Sequence, residues 1–166
     1  MNIPDSKFTK YVVLAIFLFS IANYGRIAAD FSQGNVWLPI DLLTLVATSI
    51  VTFLLVRSGM ECISQEEARG SIVAFLGVIV GVSVPLGFAT AYLIFHQHFE
   101  CISGDPTSLD ILYFSFVTFT TLGYGDFSPV GVCKGFAALE AIVGYLSLGI
   151  FAALLVTYLA RNQGTK

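Results

Sequence analysis

The chain has 166 residues, which is room for one domain of ordinary size or two very small ones. Hydrophobic residues make up 56% of it and charged residues 11%, against about 45–50% and about 25% in a typical soluble domain. A soluble protein of this size cannot bury so much apolar surface, because its area is large relative to its volume. The composition predicts an integral membrane protein and excludes disordered chains and disulfide scaffolds. The net charge of −3 gives no reason to expect nucleic-acid binding.

Four apolar runs are long enough to cross a membrane, for which a helix needs about 20 mostly apolar residues. The predicted spanning helices cover residues about 10–29, 37–57, 71–96 and 135–160. The predicted fold class is therefore an all-α integral membrane protein with four transmembrane helices. A two-helix hairpin with its cytoplasmic loop (1–69) precedes a second helical unit (70–166).

A fifth apolar run, Ile111–Gly125, is too short to cross and ends in a glycine-rich turn. Residues 105–108 read D-P-T-S, which is typical of a helix start with a capping side chain and a proline in the first turn. They predict a short helix over about 106–120. Non-helical backbone at membrane depth is tolerated only when it is buried in protein or lines water. The run is a candidate re-entrant pore segment, and a buried interfacial helix stays open as the alternative.

Basic residues are distributed unequally between the two sides of this layout, and cytoplasmic loops carry the excess of Lys and Arg. One side receives six of them: Lys7, Lys10, Arg57, Arg69, Arg161 and Lys166. The other receives two: Arg26 and Lys134. Both termini are therefore predicted to be cytoplasmic, with the short fifth run dipping in from outside. The lack of a recognisable targeting or cytosolic module favours a bacterial inner membrane.

The stretch Thr121–Asp126 reads T-L-G-Y-G-D and is the most informative part of the chain. Gly123 and Gly125 alternate with Tyr124 and can hold positive φ angles without a Cβ clash, so that successive carbonyl groups can point to one side. Carbonyl oxygens aimed inward from several symmetry-related copies can replace the water shell of an alkali cation. Hard oxygen ligands without a fixed charge suit a monovalent ion and suit zinc or copper poorly.

This stretch resembles the T-x-G-Y-G-D filter signature of the potassium channel pore family. The resemblance covers roughly residues 71–160, as outer helix, pore helix, filter (121–126) and inner helix, and makes 70–166 a potassium channel pore module. It leaves the first two helices unassigned. It implies a homotetramer in the lipid bilayer, because one loop cannot enclose an ion. It also implies passive, potassium-selective conduction, with K⁺ as the permeant ion and no cofactor.

The resemblance further implies a role for each residue of the motif. Four residues coordinate K⁺ through their carbonyls: Thr121, Leu122, Gly123 and Tyr124. The Thr121 hydroxyl closes the cytoplasmic end of the filter, and Tyr124 points away from the pore to brace against the pore helix. Gly125 and Asp126 support the filter and form its outer mouth, where the Asp126 charge concentrates cations.

Two positions depart from the family pattern. Leu122 stands where valine is more common, but its carbonyl is the group that counts, so selectivity for potassium is expected to survive. Some family members pair a pore-helix glutamate with the filter aspartate, whereas the matching position here is Val117. That pair is therefore absent.

The predicted inner helix contains two glycines and one acid. Gly144 and Gly149 are candidate gating hinges, because glycine weakens a helix interior by about 1 kcal/mol relative to alanine. Close helix packing through small residues explains them equally well. Glu140 must face protein or water rather than lipid. We place it behind the filter, bonded to the pore helix, with a role in gating as the alternative.

Cysteines and histidines gather at the predicted outer surface. Cys101 and Cys133 flank the pore loop, and some relatives carry a disulfide in comparable places, so a bridge between them is a possible consequence of the resemblance. His96 and His98 could sense external protons or bind a metal. An ordinary solvated turret is the plainer interpretation.

The first two predicted helices lack the repeated arginines of a voltage sensor. The second has no basic residue between positions 42 and 56, so it carries no charge through which a voltage could act. Asp30 and Asp41 could instead pair with Arg26 in a structural clamp. The sequence shows no Cys–His, Ser–His or paired-carboxylate arrangement, so we do not expect an enzyme. The predicted function is potassium-selective conduction. A less selective monovalent cation channel and a non-conducting regulatory subunit are the alternatives.

Overall fold

The computed structural model of the protein describes residues 6–37, 39–47, 49–50 and 69–163. This part of the chain is helical apart from its turns and loops, as the composition predicts. Five helices follow one another: α1 (Ser6–Ser32), α2 (described at 39–47 and 49–50), α3 (Arg69–Phe99), α4 (Ser108–Phe119) and α5 (Cys133–Gln163). Of the predicted second helix (37–57), residues 38, 48 and 51–57 lie outside the described residues.

Two of the described helices contain a segment long and apolar enough to cross a membrane, at Val80–Phe99 and Cys133–Ala160. Helix α4 is apolar but has only 12 residues, too few to cross. Helices α3 and α5 extend beyond the predicted 71–96 and 135–160, because an apolar run marks only the part of a helix inside the membrane. The arrangement of four spanning helices stays a prediction.

Helix α4 begins two residues later than predicted, and its first turn shows why. Thr107, not Asp105, is the N-cap, and Pro106 precedes the helix. The Asp110 N–H donates to the Thr107 hydroxyl at 3.3 Å, and the Thr107 N–H donates back to the Asp110 carboxylate at 2.9 Å. This reciprocal capping box satisfies two otherwise free donors. The hydrogen bonds from the Thr107 hydroxyl and backbone also lower the pKa of Asp110.

The core forms where α3 packs against α1, α4 and α5. Helix α4 lies between α3 and α5 and contacts both of them. The fully buried large side chains of the core include Ile27 of α1, Tyr92 and Leu93 of α3, and Ile111 of α4. The Tyr24 hydroxyl of α1 donates to the Ser108 carbonyl at 2.6 Å, which ties the N-terminal hairpin to the start of α4.

The clamp predicted at the outer end of the hairpin is present. Arg26 donates to Asp41 at 2.8 Å and to Asp30 at 3.1 Å. The Asp41 side chain is only 3% exposed and also accepts the Trp37 backbone N–H at 2.8 Å. Asp41 therefore joins both helices of the hairpin and the turn between them.

We expect Asp41→Ala to lower the free energy of unfolding by about 2–3 kcal/mol, because it removes charge-assisted hydrogen bonds from a buried site. Asp30→Ala breaks a half-exposed pair within one helix and should cost at most about 0.5 kcal/mol. Thermal unfolding of both variants in detergent micelles, followed by circular dichroism, measures the difference. Equal losses would contradict the role of Asp41.

Helices α3 and α5 approach each other closely at Gly77. A Cβ there would overlap the ring of Phe151, whereas one at Gly81 would meet open space. Of the two glycines in the G-x-x-x-G spacing of α3, only Gly77 lies at this contact, where a Cβ would force the Phe151 ring to move. Close approach through a small residue is how helices commonly pack in membranes.

Candidate pore segment

The chain leaves α4 through a tight backbone turn that begins the T-L-G-Y-G-D stretch. The Leu122 N–H donates to the Val117 carbonyl and the Thr121 N–H to the Thr118 carbonyl, both at 3.0 Å. This pair of bonds is a Schellman motif, in which the residue after the cap adopts a left-handed conformation and is usually glycine. Thr121 occupies that place with φ of 59°. For a β-branched residue this is a strained conformation that costs about 1–2 kcal/mol.

Positive φ recurs at every second residue beyond this point. Gly123 has φ of 56° and Gly125 has φ of 81°, the sign that the glycine spacing predicts. Thr121 extends the same alternation by one step toward α4. Sequence reasoning missed this, because a threonine normally argues against a left-handed conformation. The strain is stored at the residue whose hydroxyl and carbonyl begin the stretch.

Tyr113 of α4 holds the outer part of the stretch in place. Its ring stacks on that of Tyr124, with centroids 6.4 Å apart and planes 4° from parallel. The neighbouring Asp126 carboxylate, an acceptor for the Tyr113 hydroxyl, raises the pKa of Tyr113. Sequence reasoning did not single out Tyr113. On an apolar helix an aromatic residue looks like core, and only its hydroxyl hinted at a polar partner.

Helices α4 and α5 meet in two contacts that are one turn apart on each helix. Glu140, fully buried, lies 2.5 Å from the Ser115 hydroxyl of α4. Four residues further along each helix, a Cβ on Gly144 would overlap the Phe119 carbonyl oxygen, which is backbone and cannot rotate away. The structure thus places Glu140 against α4, and at Gly144 the close approach of α4 leaves no room for a side chain. A Cβ on Gly149 would meet open space.

A comparison with protein families identifies the family of this chain. The ion channel family matches residues 78–161, which is half of the chain. The chain belongs to this family. The match begins within α3 and covers α4, the pore segment and nearly all of α5, which confirms the resemblance to the potassium channel pore family. Residues 1–77, including helices α1 and α2, lie outside it.

Individual relatives match the same region. Protein LctB from Bacillus caldotenax is 39% identical over 82 residues, which are 43% of this chain and 58% of that protein. Protein LctB from Geobacillus stearothermophilus is 38% identical over the same shares. Two pore potassium channel a from Oryza sativa subsp. japonica is 33% identical over 88 residues, or 51% of this chain and 25% of that protein. The chain thus spans 58% of the length of the two bacterial relatives, and no solved structure matches.

A disulfide and two backbone hydrogen bonds join the chain before α4 to the chain that leads into α5. Cys101 and Cys133, both buried, are joined as a disulfide with their Cα atoms 5.3 Å apart. The Val130 N–H donates to the Cys101 carbonyl and the Ser103 N–H to the Ser128 carbonyl, each at 2.8 Å. The loop after α3 is thereby fixed to the start of α5, and α4 and the T-L-G-Y-G-D stretch lie between these two points.

His96 helps to fix the same loop. Its Nδ1 accepts the backbone N–H groups of Cys101 and Ile102, both at 3.2 Å. Among the described residues no group of three or more His, Cys, Asp or Glu side chains could hold a metal ion. His98 is exposed. The geometry favours the interpretation of this region as a structural turret.

Proposed function

We propose that the chain is one subunit of a homotetrameric potassium channel, through which K⁺ passes passively along its electrochemical gradient. Its ligands would be the carbonyl oxygens of Thr121, Leu122, Gly123 and Tyr124, with the Thr121 hydroxyl at the cytoplasmic end. The observation that carries the proposal is the alternation of positive φ at Thr121, Gly123 and Gly125. Alternate φ signs turn successive carbonyls toward one side, where several copies can surround an ion.

The exposure of this stretch in a single chain supports an assembly of several copies. All residues of 121–126 are exposed, and Leu122 and Tyr124 are 60% and 67% exposed. Such backbone is tolerated at membrane depth only against protein or water. Helix α5 is also largely exposed in a single chain. Only 11% of its apolar segment is buried, whereas 50% of the apolar segment of α3 is buried. An inner helix that lines a cavity and contacts other copies would need this open surface.

The electrostatics of the segment favour a monovalent cation. Residues 121–125 carry no charged side chain, and hard oxygen ligands without fixed charge bind a monovalent ion weakly enough to release it. The C-terminal end of α4, with its partial negative charge, directly precedes Thr121. Asp126 adds a carboxylate on the other side of the filter. A cation would thus be favoured at both ends of the filter. The proposal also includes the predicted topology, in which both termini of the chain lie on the cytoplasmic side of a bacterial inner membrane.

The test is ion flux through the purified chain reconstituted in liposomes. Under a potassium gradient we expect flux that barium blocks and that exceeds sodium flux at least about tenfold, a preference of about 1.4 kcal/mol. Protein-free liposomes are the blank. Equal sodium and potassium flux would replace the proposal by a less selective cation channel. A stable tetramer without flux would point to a subunit that needs a conducting partner, and a stable monomer would contradict the assembly.

A further inference from the structure

The carboxyl group of Glu140 lies in a network of three short oxygen–oxygen contacts that no ion path requires. Tyr92 Oη of α3 lies 2.9 Å from Glu140 Oε2. Ser115 Oγ of α4 lies 2.5 Å from Glu140 Oε1 and 2.7 Å from the carbonyl oxygen of Pro85. The network joins α3, α4 and α5 at one point, and each contact is short enough to require a hydrogen atom between its two oxygens.

Counting the hydrogen atoms shows that one is missing if Glu140 is ionised. The Tyr92 and Ser115 hydroxyls bring one proton each, and the Pro85 carbonyl brings none. Three contacts need three protons. Tyr92 can donate only to Glu140, so the single Ser115 proton would have to serve both Pro85 and Glu140. The contact left without a proton would set two oxygen lone pairs against each other.

We propose that Glu140 is a proton-binding site, which holds one proton per subunit and acts as a neutral carboxylic acid behind the pore helix. The protonated Oε1 donates to Ser115 Oγ, Ser115 donates to the Pro85 carbonyl, and Tyr92 donates to Oε2. Each donor then has one acceptor, and each contact has its hydrogen atom. This arrangement makes Glu140 a positioning residue, which fixes α5 to α4 one turn before the Gly144 contact.

Burial and the absence of a counter-charge support the neutral state. Glu140 and Ser115 are both 0% exposed. In the part of the chain that the structure describes, the ion pairs involve Arg26 alone, far from Glu140 along the chain. A buried carboxylate without a cation is costly enough that such a group takes up a proton instead. Asp41, which is 2% exposed, shows the contrasting case, because it is paired with Arg26 and bonded to the Trp37 N–H.

The decisive measurement is infrared spectroscopy of the full chain in lipid at pH 7. We expect a carbonyl-stretch band of a protonated carboxyl that shifts in D₂O and disappears in Glu140→Gln. Asp41→Asn removes the other carboxyl that is buried among the described residues, and as the matched control it should leave that band intact. A wild-type spectrum without a band that Glu140→Gln removes would overturn the proposal, and so would loss of the same band in Asp41→Asn.

Two variants test whether the proton, rather than a charge, is what the network needs. In Glu140→Gln the amide N–H₂ can donate to Ser115 and the amide carbonyl can accept from Tyr92, so all three contacts survive. We expect potassium flux within about twofold of the native rate, less than 0.5 kcal/mol by the usual conversion. Glu140→Leu leaves both hydroxyls without their partner and should lower flux and thermal stability together.

If Glu140→Gln loses as much as Glu140→Leu, the neutral-acid proposal is wrong. The flux comparison rests on the proposed channel function, whereas the infrared band does not. A chain that carries the band and conducts no ion would therefore contradict the proposed function and leave the proton site standing. A conducting chain without the band would do the reverse.

Discussion

Replacement of Gly144 by alanine is expected to abolish potassium flux and to destabilise the assembled channel. The new Cβ would overlap the Phe119 carbonyl oxygen and would also crowd the carbonyl carbon of the same residue. Because both atoms are backbone, no rotamer change relieves the overlap, and α4 must move. Overpacking of this kind typically costs about 1–3 kcal/mol. Since Thr121 follows Phe119 by two residues, the displacement would directly reach the residues that we propose as K⁺ ligands.

Gly149→Ala is the matched control on the same helix. Its Cβ would meet open space, and alanine favours a helix by about 1 kcal/mol over glycine. We therefore expect unchanged flux and equal or higher thermal stability. Liposome flux and unfolding temperature, measured on both variants, separate packing from hinge motion. Loss of flux in Gly149→Ala with a stable tetramer would indicate a hinge there, and native behaviour of Gly144→Ala would refute the packing argument.

The parts of this molecule that sequence predicts well are those set by local chemistry. A run of apolar residues too short to cross a membrane predicts the short helix α4. Two glycines that alternate with tyrosine predict the positive φ angles of Gly123 and Gly125. An acid inside an apolar helix has to face protein or water, and Glu140 contacts Ser115 of α4. Opposite charges at the same end of the predicted hairpin likewise predict that Arg26 pairs with Asp30 and Asp41, and both pairs are present.

What sequence could not decide depends on a partner from another element. Gly144 is compatible with a hinge or a close contact, and only the backbone of Phe119 shows which one applies. Thr121 has a residue type that disfavours positive φ, so its conformation follows from the turn that ends α4 and not from its own preference. Tyr113 needed the position of Asp126 before its hydroxyl had a meaning.

Gly123→Ala is expected to remove the preference for potassium over sodium. Its φ of 56° is a conformation that alanine adopts only at a cost of about 1–2 kcal/mol. No side chain blocks a Cβ at this position, so the strain is in the backbone alone. The chain can relieve it by rotating the adjoining peptide planes, which turns the carbonyls of Leu122 or Gly123 away from the ion. In the proposed homotetramer, four subunits would carry the same change around one pore.

Gly131→Ala separates this effect from strain in general. Gly131 also has positive φ, at 53°, and also has open space for a Cβ, but it lies in the turn before α5. Both variants should lose a similar amount of stability in thermal unfolding. Only Gly123→Ala should lower the ratio of potassium to sodium flux by about tenfold or more, equivalent to about 1.4 kcal/mol. If Gly131→Ala lowers the ratio equally, selectivity responds to stability as a whole and not to the carbonyls of residues 121–124.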